Sequence, residues 1–244
     1  MFEASNQRII VLDTETTGMN QAGGPHYEGH RIIEIGAVEI INRKLTGNNF
    51  HVYIKPDREI DPEAVEVHGI TDAFLVDKPS YAQVHQAFVD YIKGAELVAH
   101  NASFDVGFMD YEFEKLNPQQ PKTADMCHVT DTLAMAKKIF PGKRNNLDAL
   151  CGRYGIDNSH RTLHGALLDA EILADVYLLM TGGQTSLSFS DPTAQSGGDS
   201  SAASQVLADR KPLKIISASA DEIEAHNARL DLIEKKGNTS MWRR

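Results

Sequence analysis

The chain has 244 residues, room for one ordinary domain with a long extra or for two small domains. Apolar residues make up 41% and charged residues 24%, which excludes a collagen-like, wholly disordered or membrane-spanning protein, and no stretch reaches the ~20 apolar residues of a transmembrane helix. The net charge of -10 argues against a protein that coats nucleic acid by charge.

Ile9 to Leu12 is a short apolar run entering the turn-like Asp-Thr-Glu-Thr-Thr-Gly, and reads as a first strand. Residues 31–41, RIIEIGAVEII, are rich in β-branched side chains and read as a second. Residues 49–54, NFHVYI, alternate as a third and close at Lys55-Pro56. The short separations suit antiparallel hairpins. The period then changes. Residues 80–93 place Tyr81, Val84, Phe88 and Ile92 on one helical stripe, with Gly94 as a stop. Leu97 to Ala99 is a brief buried strand, residues 104–116 a helix ending before Pro118, and Met126 to Val129 a fifth strand. Helices follow over 131–139, 146–154 and 165–180. Strands first, then alternation, predict a mixed sheet with helices packed on it.

Composition breaks after Gly182-Gly183. Residues 188–205 are small and polar, with almost nothing to bury, and read as a flexible linker. Structure returns with an extended segment at 213–216 and a helix opened by the capping box Ser219–Glu222. One such helix cannot form its own core and needs a surface to dock on. MFEASNQRII carries no secretory signal, and the two cysteines, Cys127 and Cys151, read as buried thiols in a reducing cytoplasm.

The acidic excess is localised. Residues 183–244 hold eight acidic and eight basic side chains, so the excess lies wholly in residues 1–182. Asp13 and Glu15, two apart at a strand end, share the face of Ile9 and Val11. Two carboxylates there repel each other and resist desolvation, and a divalent cation between them removes both problems. Alone, the pair also fits a polar turn. Asp105 follows His100-Asn101-Ala-Ser-Phe104 at the start of a helix, where a capping role is the ordinary alternative. His164 precedes an apolar helix and Asp169 lies five residues on. Both inside one helix would diverge by about 140°. Convergence requires His164 in the loop and Asp169 in the early turns.

Asp13-x-Glu15, Asp105 and His164-x-x-x-x-Asp169 together resemble the three motifs of the DEDDh family of 3′–5′ exonucleases. The segments VLDTETTGMN, HYEGHRIIEIGAVE, KLTGNNFHVY, FPGKRNNLDALC and RTLHGALLDA are similar to the epsilon proofreading subunits of bacterial DNA polymerase III. That likeness runs across residues 8–183 and more loosely into the tail, with no departure at a catalytic position. It implies an α/β, ribonuclease H-like fold with a five-stranded mixed sheet flanked by helices. The divisions follow: an exonuclease domain over 1–183, a linker over 184–211, and a docking segment over 212–244.

The chemistry also stands on its own terms. Phosphodiester hydrolysis needs an activated water, charge relief at the phosphorus and help for the leaving 3′ oxygen. Two divalent ions ~4 Å apart supply all three. Carboxylate oxygens without thiolates suit Mg²⁺ or Mn²⁺. Asp13 is assigned as the bridging ligand, Glu15 and Asp169 complete the inner set, and Asp105 holds the second ion. His164 is the general base, since an imidazole titrates near neutrality. The resemblance further implies that Glu63 and His68 meet the terminal nucleotide, with the backbone at Thr14 and Thr16 beside its sugar and base. Glu34 reads as a packing or ion-pair residue, Asp131 and Asp148 as helix-start residues, and His26, His30, His51, His85 and His160 have no ligand spacing. Lys143-Arg144 suits a DNA phosphate or a solvated loop equally.

Gln184, Leu187 and Phe189 resemble a sliding-clamp binding peptide. The C-terminal helix and Trp242 would then dock on the polymerase alpha subunit. A small accessory subunit on the exonuclease domain also fits the family. The partners expected are therefore a frayed DNA 3′ end, a polymerase and a clamp, with no membrane, in a cytoplasmic replisome. An exoribonuclease of the same family and a polymerase–clamp scaffold are the competing readings.

Overall fold

The computed structural model describes residues 8–159, 163–182 and 218–236. The chain divides into two units, residues 1–186 and 187–244. In the first, the strands are β1 (Arg8–Thr16), β2 (Ile32–Ile41), β3 (Lys44–Leu45), β4 (Phe50–Tyr53), β5 (Glu96–Ala99) and β6 (His128–Asp131). They form one sheet in the order β3-β2-β1-β5-β6, with β4 also paired to β2. β1–β2, β2–β3 and β2–β4 pair antiparallel, the β1–β2 connection being a long loop over 17–31 rather than a short hairpin, whereas β1–β5 and β5–β6 are parallel. The parallel pairs need crossovers, supplied by α3 (Tyr81–Ile92) before β5 and α4 (Ala102–Leu116) after it.

The mixed sheet with flanking helices is the expected architecture. Two details differ. A two-residue sixth strand, β3, follows a turn in which Asn42 and Arg43 hold positive φ, and it is too short to show a period. The strand expected at Met126–Val129 starts at His128, because Thr123–Met126 forms the short helix α5. The remaining helices of this unit are α1 (Pro62–His68), α2 (Asp72–Leu75), α6 (Thr132–Ile139), α7 (Leu147–Tyr154) and α8 (Ala166–Thr181).

Alternation along β1 sorts its side chains between two layers. Ile10 and Leu12 pack with Phe88, Ile92, Phe108 and Phe113 on the side of α3 and α4. Val11 packs with Val38, Val98, Ala170, Leu173 and Ala174 on the side of α8. The outer flank of α8 is buried as well, where Ile172 and Val176 meet Ala136, Leu150 and Cys151. That explains an apolar helix with no clear polar face. Both cysteines are buried and neither forms a disulfide.

Each of the two helices is fastened to β2. On one face Glu112 of α4, fully buried, accepts from Arg31 Nε at 2.8 Å and Nη2 at 2.7 Å, and from the Ile32 N–H at 3.2 Å. A paired, hydrogen-bonded carboxylate is the tolerable form of a buried charge. On the other face α8 starts directly over Gly36, where a Cβ would lie 2.1 Å from the Leu167 nitrogen. Gly36 is there for space.

In the second unit, α9 (Ala220–Lys235) opens with the Ser219–Glu222 capping box, as expected. Leu230 is buried, whereas Ile223, Leu232 and Ile233 are exposed. The clamp-like peptide, the linker, the segment 213–216 and Trp242 lie outside the described residues. Among the described residues no helix is long and apolar enough to cross a membrane.

Gly36→Ala should lower stability by about 3 kcal/mol, the upper end of ordinary overpacking, since the obstacle is backbone. Urea denaturation followed by circular dichroism measures it; a midpoint equal to wild type would show that α8 can move away.

Candidate active site

The site lies where β1 leaves the sheet. The β1–β2 register slips between Glu15 and Thr16, an irregularity that redirects the chain just past the carboxylate pair. Asp13 pairs with Gly36 and Glu15 with Glu34 across the two strands, so both carboxylates emerge on the α8 side. Asp169 stands in the first turn of α8 and is 3% exposed. His164 lies in the loop two residues before that helix, its N–H donating to the Val67 carbonyl at 3.2 Å. The required placement of loop histidine and helical aspartate is thus realised: His164 Nδ1 is 3.3 Å from Asp169 Oδ2. One ligand atom each from Glu15, His164 and Asp169 lies within 4.8 Å of the others.

Asp105 arrives from the opposite layer. It occupies the first turn of α4, is 3% exposed, and accepts a 2.8 Å hydrogen bond from Thr14 Oγ1. Thr14 lies between Asp13 and Glu15, so it points to the other face and meets α4 there. All five residues line one cavity of about 280 Å³, with His100, Asn101, Phe104, Asn146, Leu147 and Asp148. Asn101, which precedes α4, holds a left-handed backbone at φ 69° and donates its N–H to Asp131.

Burial pushes the Asp105 carboxyl up to about 7, with Asp131 adding to the effect and the Thr14 hydrogen bond opposing it. A buried carboxylate resisting ionisation beside three further acids is stabilised by a cation. The donors are hard oxygens and an imidazole, with no thiolate, and they fit a hard divalent cation.

A second cavity of about 250 Å³ adjoins the first, sharing Thr14, Glu15 and Phe104 with it. Glu63 and His68 are on its wall with Thr16, Met19 and Val67. Glu63, exposed in the first turn of α1, accepts from Gln21 Nε2 at 3.4 Å. His68 is buried, and its Nδ1 accepts the Ile70 N–H at 3.0 Å. That leaves Nε2–H to donate to the Thr16 carbonyl at 3.3 Å, so the ring is neutral. Burial lowers its pKa in agreement.

Glu34 is partnered within the sheet, with its Oε1 2.8 Å from His51 Nε2. Asp131 caps α6 through the Leu133 and Ala134 N–H groups. Asp148, in the first turn of α7, also reaches the first cavity. The side chain of Thr14 was not singled out in the sequence; alternation placed it opposite its neighbours, but only the layer chosen by α4 shows what it meets.

Fold and site together define an exonuclease. A family model described as Exonuclease matches residues 10–177. DNA polymerase III subunit epsilon of Escherichia coli (strain K12) is 63% identical over 238 residues, covering 97% of both chains. The subunit of the same name from Haemophilus influenzae is 61% identical over 243 residues, covering 96% of this chain and 94% of the other. Among solved structures, exonuclease X in complex with 5′-overhanging duplex DNA is 30% identical with a TM-score of 0.50, over 73% of this chain and 94% of the other. The nuclease domain of 3′hExo, a DEDDh family member bound to rAMP, has a TM-score of 0.56 at 19% identity, over 72% of this chain and 92% of the other, and shows the shared fold. The chain belongs to the exonuclease family and, within it, to the DNA polymerase III epsilon subunits. Divalent metal use comes with that membership.

The raised Asp105 pKa predicts the pH dependence of the metal-free protein. The folded state binds this proton more tightly than the unfolded state. Its contribution to stability is complete below the unfolded value near 3.8 and is lost as pH rises through about 7. In chelator, the stability difference between wild type and Asp105→Asn should therefore shift against wild type between those limits. Thermal melts of both proteins over that range test it, and a pH-independent difference would show that Asp105 is not protonated in the folded state.

Proposed function

We propose that the protein is the proofreading 3′–5′ exodeoxyribonuclease subunit of a replicative DNA polymerase, releasing nucleoside 5′-monophosphates. What carries the reading is the meeting of Asp13, Glu15, Asp105, His164 and Asp169 in one cavity, next to a second walled by Glu63 and His68.

Two bound Mg²⁺ or Mn²⁺ ions would supply charge neutralisation at the phosphate and a water that ionises at neutral pH. Asp13, Glu15 and Asp169 would hold them from the α8 side, and Asp105 from the α4 side. His164, with Nδ1 set against Asp169, takes the proton of the attacking water at Nε2. Glu63 receives the terminal nucleotide in the second cavity. His68 lends its ring edge to that wall and fixes the Thr16 carbonyl, which orders the backbone beside the sugar.

The second unit tethers the enzyme. α9 carries Ile223, Leu232 and Ile233 exposed, which suits docking on the polymerase alpha subunit. Residues 184–189 engage the sliding clamp at the head of the linker over 184–211, in a cytoplasmic replisome. Tethering raises the effective concentration of an acidic enzyme at a DNA end.

The test is cleavage of 5′-labelled single-stranded DNA and RNA of one sequence, with Mg²⁺ or with chelator. DNA should shorten stepwise from its 3′ end, faster than RNA and only with metal. Asp13→Ala should abolish cleavage, and His164→Ala should slow it by roughly 10²–10⁴ while Mn²⁺ still binds. Preferential shortening of RNA would make the protein an exoribonuclease, and no cleavage of either would make it a scaffold.

A further inference from the structure

Glu34 is a buried carboxylate that the proposed chemistry does not use. It is 2% exposed and lies directly across from Glu15, on the same face of the sheet. An acid so placed would repel Glu15 unless its charge were engaged elsewhere. Both of its oxygens are engaged. Oε1 is 2.8 Å from His51 Nε2, and Oε2 accepts the Ala166 N–H at 3.2 Å. Burial and the adjacent Glu34 raise the pKa of Tyr53, its cross-strand neighbour on the other side.

The Ala166 contact is the informative one. Ala166 opens α8, and its N–H is among those a helix cannot satisfy internally. Gly165 before it has no capping side chain, so Glu34 meets this need from the sheet. His164 lies two residues before Ala166 and Asp169 three residues after it. Gly36, two along from Glu34 on the same face, lets α8 approach closely enough for the contact.

We propose that Glu34 is a positioning residue for the cleavage reaction: by holding the Ala166 N–H it fixes the start of α8, and so sets Asp169 and His164 against Glu15. His51 completes the device by orienting the Glu34 carboxylate from the neighbouring strand. The inference rests on the proposed nuclease site. It assigns Glu34 no metal contact, since its two oxygens point to His51 and Ala166.

The test uses the full-length chain with Glu34→Ala, Glu34→Gln and His51→Ala. Three quantities are read well below each melting temperature: kcat and KM on 5′-labelled single-stranded DNA, and Mn²⁺ affinity by electron paramagnetic resonance. Glu34→Ala should lower kcat and Mn²⁺ affinity, each on the order of 10–100-fold. At saturating Mn²⁺ KM should be unchanged, because the nucleotide cavity is walled by α1. Glu34→Gln retains an acceptor for Ala166 and should restore both to within about threefold of wild type. His51→Ala should lower kcat severalfold at constant KM.

A purely structural Glu34 would lower the melting temperature and leave kcat and Mn²⁺ affinity intact, which overturns the proposal. So would Glu34→Gln as impaired as Glu34→Ala, since charge rather than the helix contact would then matter. Should Glu34→Ala not fold, His51→Ala with wild-type kcat overturns it instead. Wild type inactive on DNA would count against the nuclease reading, whereas active wild type with unaffected variants counts only against Glu34.

Discussion

The first turn of α8 rests on Gly36 of β2 without an intervening side chain, and the position of Asp169 relative to the carboxylates of β1 follows from that contact. Gly36 pairs with Asp13 across the strands, so the close approach occurs beside the first carboxylate. It brings Asp169 over the end of β1 and leaves His164 in the loop just before the helix. Helix α4 comes to the same place from the other layer, fastened by the Glu112–Arg31 pair. β2 thus serves as the common rail for both helices, although it contributes none of the five site residues itself.

This arrangement divides the site between two faces of one strand. Asp13 and Glu15 leave β1 toward α8, and Thr14 leaves it toward α4 to meet Asp105. Only where the sheet ends can side chains from both layers reach a common cavity. The register slip at Glu15/Thr16 marks that end. Mutual repulsion among the four carboxylates opposes the geometry, and packing must overcome it. The apolar burial of α8 on both flanks, against the sheet and against α6 and α7, supplies the opposing stabilisation.

Much of this was legible in the residues. The two-residue spacing of Asp13 and Glu15 gave their common face, and the five-residue spacing of His164 and Asp169 required a loop and a helix start; both are geometric statements that the fold satisfies. The long strands and helices showed themselves by period. What stayed hidden depended on pairing across the sheet. Glu34 offered no partner because its partners, His51 and Ala166, lie 17 and 132 positions away. Thr14 was hidden by its neighbours, and β3 by having two residues. His68 was expected to meet the terminal nucleotide; the structure puts it on the wall of the second cavity, and the commitment of both ring nitrogens to backbone depends on α1 closing against Thr16.

The acidic balance has a functional consequence. The first 182 residues hold the whole net charge, and the cavity is lined by carboxylates. On the proposed reading, DNA approaching the metal-free site meets repulsion, and among the described residues no lysine or arginine lines either cavity to offset it. Affinity for the 3′ end and catalysis then depend on the same cations. Weak intrinsic binding suits an enzyme carried by its polymerase, because a strand that is correctly paired gains little by entering. A frayed end, already unpaired and held nearby by the tether, needs no such affinity to reach the cavity. Selectivity would then come from the cost of unpairing the duplex rather than from recognition of the wrong base.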